Sequence, residues 1–125
     1  MKPFKLKSRQ RYPHKITYVD GIKFHSQDEA RRYRELLLIA KIDPKRVQNL
    51  ILQPRFLLHP SFIQQGDKYR KSEYIADFMY SDEKGRTIVE DVKSSHTKND
   101  KAYRLKMKLT LFINAGIHFK EIIYS

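Results

Sequence analysis

The sequence predicts a single α/β domain whose core elements follow the order αβββαβ, with a mixed sheet flanked by helices. Three observations predict it. Apolar residues recur at helical spacing in two separate runs, residues 27–40 and 100–115. Between them lie extended, β-rich stretches, two of which flank a turn-like Asp82-Glu83-Lys84-Gly85. A last β-rich stretch follows the second helical run, and a strand reached through a helical crossover lies parallel to a neighbour, by default with a right-handed connection.

Residues 1–15 carry Lys2, Lys5, Lys7, Arg9, Arg11 and Lys15 with no acid, and are expected to form a basic N-terminal arm ahead of a domain over residues 16–125. Residues 16–18 and 22–24 flank Val19-Asp20-Gly21, and Asp-Gly supplies the positive φ angles of a tight hairpin. Ser26-Gln27-Asp28-Glu29 then opens a helix in which Ala30, Tyr33, Leu37 and Ala40 form the recurring apolar set. Asp43-Pro44 breaks that pattern. Residues 47–58 read as a long strand bent at Gln53-Pro54, because proline belongs at an edge or bulge. Residues 60–69 read as a loop or hairpin tip leading into the strand with Asp77, and the strand with Asp91 follows Gly85. In the second helix Leu105, Leu109, Phe112 and Ile113 fall at i, i+4, i+7, i+8 beside a ridge of Lys101, Arg104 and Lys108. Gly116 is placed to end it, and residues 117–124 resume as a strand.

The 125 residues fit one domain. Twenty-six Lys and Arg against 14 Asp and Glu leave a net charge of +12, which points to a polyanion partner. The longest apolar run, residues 36–40, falls far short of the ~20 residues of a spanning helix, so the expected partner is nucleic acid and not membrane. The basic N-terminus is not followed by the apolar segment of a secretory signal, and the expected location is the cytoplasm. Without cysteine there is neither a disulfide framework nor a thiolate zinc site.

The chemistry centres on two acids. A hairpin centred on Lys84 sets Asp77 opposite Asp91, and facing residues of an antiparallel pair share one side of the sheet with Cβ atoms about 4.5–5.5 Å apart. Carboxylates that close repel unless a cation or proton lies between them, and oxygen ligands favour Mg2+ or Mn2+. Lys93, two residues beyond Asp91, points to the same face. Two acids and one ammonium suit phosphodiester hydrolysis better than a structural ion.

With an acid early on the first helix, Asp on the second core strand and Asp-x-Lys on the third, the chain resembles the PD-(D/E)XK nuclease superfamily over roughly residues 22–124. The strings Phe24-His25-Ser26-Gln27-Asp28-Glu29-Ala30, Leu52-Gln53-Pro54, Tyr74-Ile75-Ala76-Asp77-Phe78 and Val89-Glu90-Asp91-Val92-Lys93 look most like a family of small phage-borne nuclease-like proteins. These are relatives of the endonuclease I type of Holliday junction resolvases, with a restriction-endonuclease-like core. The resemblance implies that Asp77 and Asp91 ligate a divalent metal, with the Val92 carbonyl adding a ligand. Glu29 would complete the site, and Lys93 would orient or help deprotonate the attacking water. The superfamily's proline before its first Asp is Ala76 here, a substitution that leaves the metal chemistry intact.

Each residue also has a plainer reading. Asp77 can pair with a nearby base, although two facing aspartates without a cation are costly. Ser26-x-x-Glu29 is also a capping box, which would fold Glu29 back onto the Ser26 amide. Glu90 alternates to the face opposite Asp91 and reads as an exposed or interface acid. Gln53-Pro54 fixes a bend and satisfies a backbone group. Tyr103 packs against the sheet, His96 is an exposed loop histidine, and the other histidines gather into no cluster. Lys98, Lys101, Arg104, Lys106 and Lys108, with Arg9 and Arg11 of the arm, are the expected DNA-backbone contacts.

The expected activity is that of an Mg2+- or Mn2+-dependent DNA endonuclease with no small-molecule cofactor. The resemblance names branched DNA such as Holliday junctions, in recombination, as first substrate, duplex as the comparison, and a homodimer as the working form. The alternatives are the strand-cleaving nuclease subunit of a transposon and a non-catalytic nucleic-acid-binding module.

Overall fold

Ten strands and two helices make up the described residues, 15–124 of a computed structural model. Apart from Lys15, the expected basic arm with Arg9 and Arg11 lies outside them. The chain opens with a hairpin, β1 (Thr17–Val19) and β2 (Ile22–Phe24), turned by Asp20 and Gly21 at φ 53° and 78°. The helix α1 (Gln27–Ile42) follows, then β3 (Gln48–Leu52) and β4 (Arg55–His59). A second hairpin, β5 (Phe62–Gln64) and β6 (Asp67–Tyr69), leads to β7 (Ser72–Ile75), β8 (Phe78–Ser81) and β9 (Thr87–Lys93). The chain ends in α2 (Lys101–Ile113) and β10 (Ile117–Ile123).

The central sheet has the order β10-β9-β8-β3, with β9 and β10 parallel and the other pairs antiparallel. This is the mixed sheet of the expected αβββαβ order, α1 preceding β3, β8 and β9, and α2 crossing to β10. Two apolar cores lie against it. Ala30, Tyr33 and Leu36 of α1 pack with Phe78, Tyr80 and Ile88 in one; Tyr103 and Met107 of α2 pack with Tyr74, Ala76 and Val89 in the other. Ile88 and Val89, consecutive on β9, enter different cores, as strand alternation requires.

Four expectations change. The stretch expected to be one long bent strand is two strands, β3 in the central sheet and β4 paired separately with β7. Gln53, at φ 51°, and Pro54 divide them, and the opposite side of the ribbon breaks at the same level, at Ala76-Asp77. On α1 the third buried position is Leu36, at 0% exposure, not Leu37, at 37%. On α2 the buried residues are Tyr103, Met107 and Thr110, while Leu105, Leu109, Phe112 and Ile113 are exposed, Phe112 by 85%. The apolar stripe thus faces outward, and the packed face is the adjacent one with more polar side chains. Glu90, expected on the surface, is fully buried: Arg32 grips it with two 2.7 Å hydrogen bonds, Nε to Oε1 and Nη2 to Oε2, and the Tyr80 hydroxyl donates at 2.5 Å. The face it occupies is nevertheless the expected one, opposite Asp91.

Candidate functional site

The site forms where β9 ends, beside the start of α1 and the turn over residues 94–97. An open cleft of about 560 Å³ there is lined by Glu29, Asp77, Val92 and Lys93, with Lys15, His25 and His96 at its sides. Ser26 is the N-cap of α1; its hydroxyl oxygen accepts from the Glu29 amide at 3.1 Å, and the hydroxyl contacts Glu29 Oε1 at 3.4 Å. The capping reading therefore holds for Ser26, while Glu29 lines the cleft with Asp77.

The β8–β9 ladder pairs Phe78 with Glu90, Met79 with Val89, Tyr80 with Ile88 and Ser81 with Thr87, the register of a hairpin centred on Lys84. Asp77 sits one residue outside that ladder, at the break before β8 and not at a strand centre. Its amide donates to the Glu90 carbonyl at 3.1 Å and its carbonyl accepts from the Gln53 amide at 2.9 Å. Gln53-Pro54 thus does supply a bend and a backbone partner, and that partner is Asp77 itself. Asp77 Oδ2 accepts from the Val92 amide at 2.7 Å, so the observed contact at Val92 is its N–H.

Asp91 is 2% exposed. The Tyr74 hydroxyl donates to its Oδ2, and Lys93 Nζ lies 3.8 Å from its Oδ1. Lys93 also sits 4.2 Å from the centroid of the Tyr103 ring, whose hydroxyl donates to Glu121 at 2.5 Å. An aromatic face and a carboxylate thus hold the ammonium on the Asp91 side of the sheet. Tyr103 packs under the site, as its plainer reading has it.

The electrostatics follow from burial. Desolvation first, then the Glu29 carboxylate as an acceptor for the Asp77 proton and the charge of Asp91, push Asp77 up to about 10. Burial also raises Asp91, against the opposing pull of Asp77, Lys93 and Tyr74. Without a cation a proton resides on Asp77, shared with its neighbours, and the two aspartates titrate as a unit. Burial and the Asp91 carboxylate raise the Tyr74 hydroxyl far above its ordinary value, which keeps it a donor.

Among the described residues no three or more His, Cys, Asp or Glu side chains stand arranged to hold a metal ion. Asp77 Oδ2 and Asp91 Oδ2 are taken up by Val92 and Tyr74. The donor set still fits the chemistry of a divalent cation, because neighbouring carboxylates are hard oxygen ligands with charge to neutralise.

Of the expected DNA contacts, Lys101, Arg104, Lys106 and Lys108 are exposed on α2, and Lys98 is half-buried before it. A second, shallower depression lined by Lys93, His96, Asn99, Asp100 and Tyr103 joins the cleft to the start of α2. Tyr74 was not predicted as a site residue. It lies three positions before Asp77, so regular alternation assigns it to the other face, and only the break at Ala76-Asp77 brings both to Asp91.

Fold and site together define a small α/β protein with a partly buried group of carboxylates and an adjacent lysine at the end of a central strand. The chain belongs to a family described as proteins of unknown function, DUF1064, whose match spans residues 9–122. No curated protein and no solved structure matches it.

Proposed function

We propose that the protein is a divalent-metal-dependent DNA endonuclease of the PD-(D/E)XK type, acting first on branched DNA such as four-way junctions. The observation that carries this reading is the gathering of half-buried Asp77 and Glu29 beside buried Asp91, with Lys93 as the cation at hand. Mg2+ or Mn2+ bound there would activate water and neutralise charge on the phosphate. Asp77 and Asp91 would hold the ion, and Glu29 would have to turn toward them to complete the set. Tyr74 and the Val92 amide fix the rotamers of the two aspartates. Lys93, held by Tyr103 and Asp91, orients the attacking water and offsets charge on the scissile phosphate. Lys98, Lys101, Arg104, Lys106 and Lys108 bind the backbone. A homodimer would present two such sites to two strands.

The test is incubation of labelled four-way junction and matched linear duplex with Mg2+, Mn2+ or chelator, with an Asp91→Asn variant alongside. Paired, metal-dependent nicks near the junction that fall at least about a hundredfold in the variant are expected, since losing a metal ligand forfeits several kcal/mol of barrier lowering. Binding without cleavage would overturn the enzyme reading in favour of a non-catalytic module or a partner-dependent subunit.

A further inference from the structure

The β5–β6 hairpin is the outer end of a long ribbon. Its stem, β4 and β7, is braced by α2, where Phe56, Leu58 and Tyr74 pack with Tyr103, Met107 and Leu111. The tip joins no other sheet, and all six of its strand residues are exposed. Gln65 and Gly66 turn it with φ 52° and 82°, the pattern of a type I′ turn, so the tip is a defined ribbon and not a slack loop.

That tip carries side chains the core does not use. Phe62 and Tyr69 stack at 4.9 Å with an interplanar angle of 16°, and His59 meets Phe62 edge-on at 5.5 Å. Phe62 and Tyr69 remain 46% and 45% exposed. An aromatic platform open to water and excluded from both cores is explained by a ligand with flat faces. Lys68, one rung from the platform and on the opposite face of the ribbon, and Arg70, just past β6, have no ion-pair partner among the described residues, whereas neighbouring Lys71 is committed to Glu73 at 3.4 Å.

We infer that the β5–β6 ribbon is a DNA-binding element, its Phe62–Tyr69 platform stacking on unpaired or splayed bases while Lys68 and Arg70 contact the phosphates beside them. The inference rests on the proposed DNA-cleaving function and adds to it a contact for exposed bases. Stacking on aromatic faces tolerates any sequence and needs bases out of the duplex, which branch points supply. The basic flank and the net charge of +12 favour a nucleic acid over a protein partner. Tyr69 lies eight residues before Asp77. At the rise of an extended strand that is about 26 Å at most, or roughly eight nucleotides from the phosphate at the cleft.

The chain contains no tryptophan, so Tyr69→Trp supplies a single fluorophore at the platform. Titrated in chelator, its emission is expected to be quenched saturably by four-way junction and by single-stranded oligonucleotide, and much less by blunt duplex. Tyr69→Ala is expected to weaken junction binding about fivefold or more, and the exposed pair Lys68→Glu/Arg70→Glu to weaken it without altering the circular dichroism. Junction bound with unchanged emission, and with wild-type affinity in Tyr69→Ala, would overturn the inference. Quenching without metal-dependent cleavage would sink the endonuclease reading and leave the ribbon as a binding element. No binding to any DNA would overturn both.

Discussion

Asp77 gains a proton on folding, and this dictates a pH response. Its folded value is raised, so from the ordinary carboxylate range near 4 up to about 10 the folded metal-free chain holds more protons than the unfolded one, and stability falls as pH rises. The lowered acids, Glu35, Glu73 and Asp82, act with the opposite sign and below that window. In chelator the melting temperature should therefore decline between about pH 5 and about pH 9, and Asp77→Asn should flatten the decline; an unchanged slope in the variant would show that the proton resides elsewhere. On the proposed function Mg2+ or Mn2+ would compete with that proton, and should then raise the melting temperature more at high pH than at low. On the other face of β9, Arg32→Ala would leave Glu90 buried without its counter-charge and with the Tyr80 hydroxyl as its remaining donor, at a cost of about 3–5 kcal/mol in urea unfolding. At this scale the sequence disclosed Asp77, Asp91 and Lys93, because two-residue alternation and a centred turn are arithmetic. It concealed Tyr74 and Arg32, whose partners depend on a chain break and on the packing of a helix.

Between elements, α2 is the instructive failure of periodicity. Its sequence carries two candidate faces, Leu105-Leu109-Phe112-Ile113 and Tyr103-Met107-Thr110-Leu111, and hydropathy favours the first. The fold uses the second, since Tyr103 finds Glu121 and Lys93 while Thr110 donates to the Lys106 carbonyl at 2.8 Å, so neither polar group is buried unsatisfied. Met107→Ala should accordingly cost about 2–4 kcal/mol, whereas Phe112→Ser should stay within about 0.5 kcal/mol; denaturant midpoints that ranked them the other way would return the outward stripe to the core. The bend at Gln53-Pro54 was legible from proline alone. That it moves the chain from one sheet to another was not, because the matching break at Ala76-Asp77 has no proline or glycine to announce it.

For the molecule as a whole, charge and order were the legible quantities. The αβββαβ succession and the parallel last strand followed from spacing, and of the two readings of residues 60–69, loop or hairpin tip, the structure has the hairpin; that β4 and β7 pair apart from the central sheet was not legible. If the proposed partner is DNA, a net charge of +12 implies that the affinity falls steeply with salt whatever the chemistry. Lys101→Ala, Arg104→Ala and Lys108→Ala should each reduce the slope of log affinity against log salt by about one, with chelator leaving that slope unaltered; a slope indifferent to all three would place the DNA on another surface. The buried grip of Arg32 on Glu90 has a broader consequence. Consecutive acids on β9 face opposite ways, and a slip of one position would present Asp91 to the guanidinium and Glu90 to the cleft. The ion pair thus serves as a frame mark for the hairpin, fixing from the far side of the sheet that Asp91 lies on the side of Asp77, Tyr74 and Lys93. Redesign of the cleft is therefore safe only in chains that keep position 90 in place.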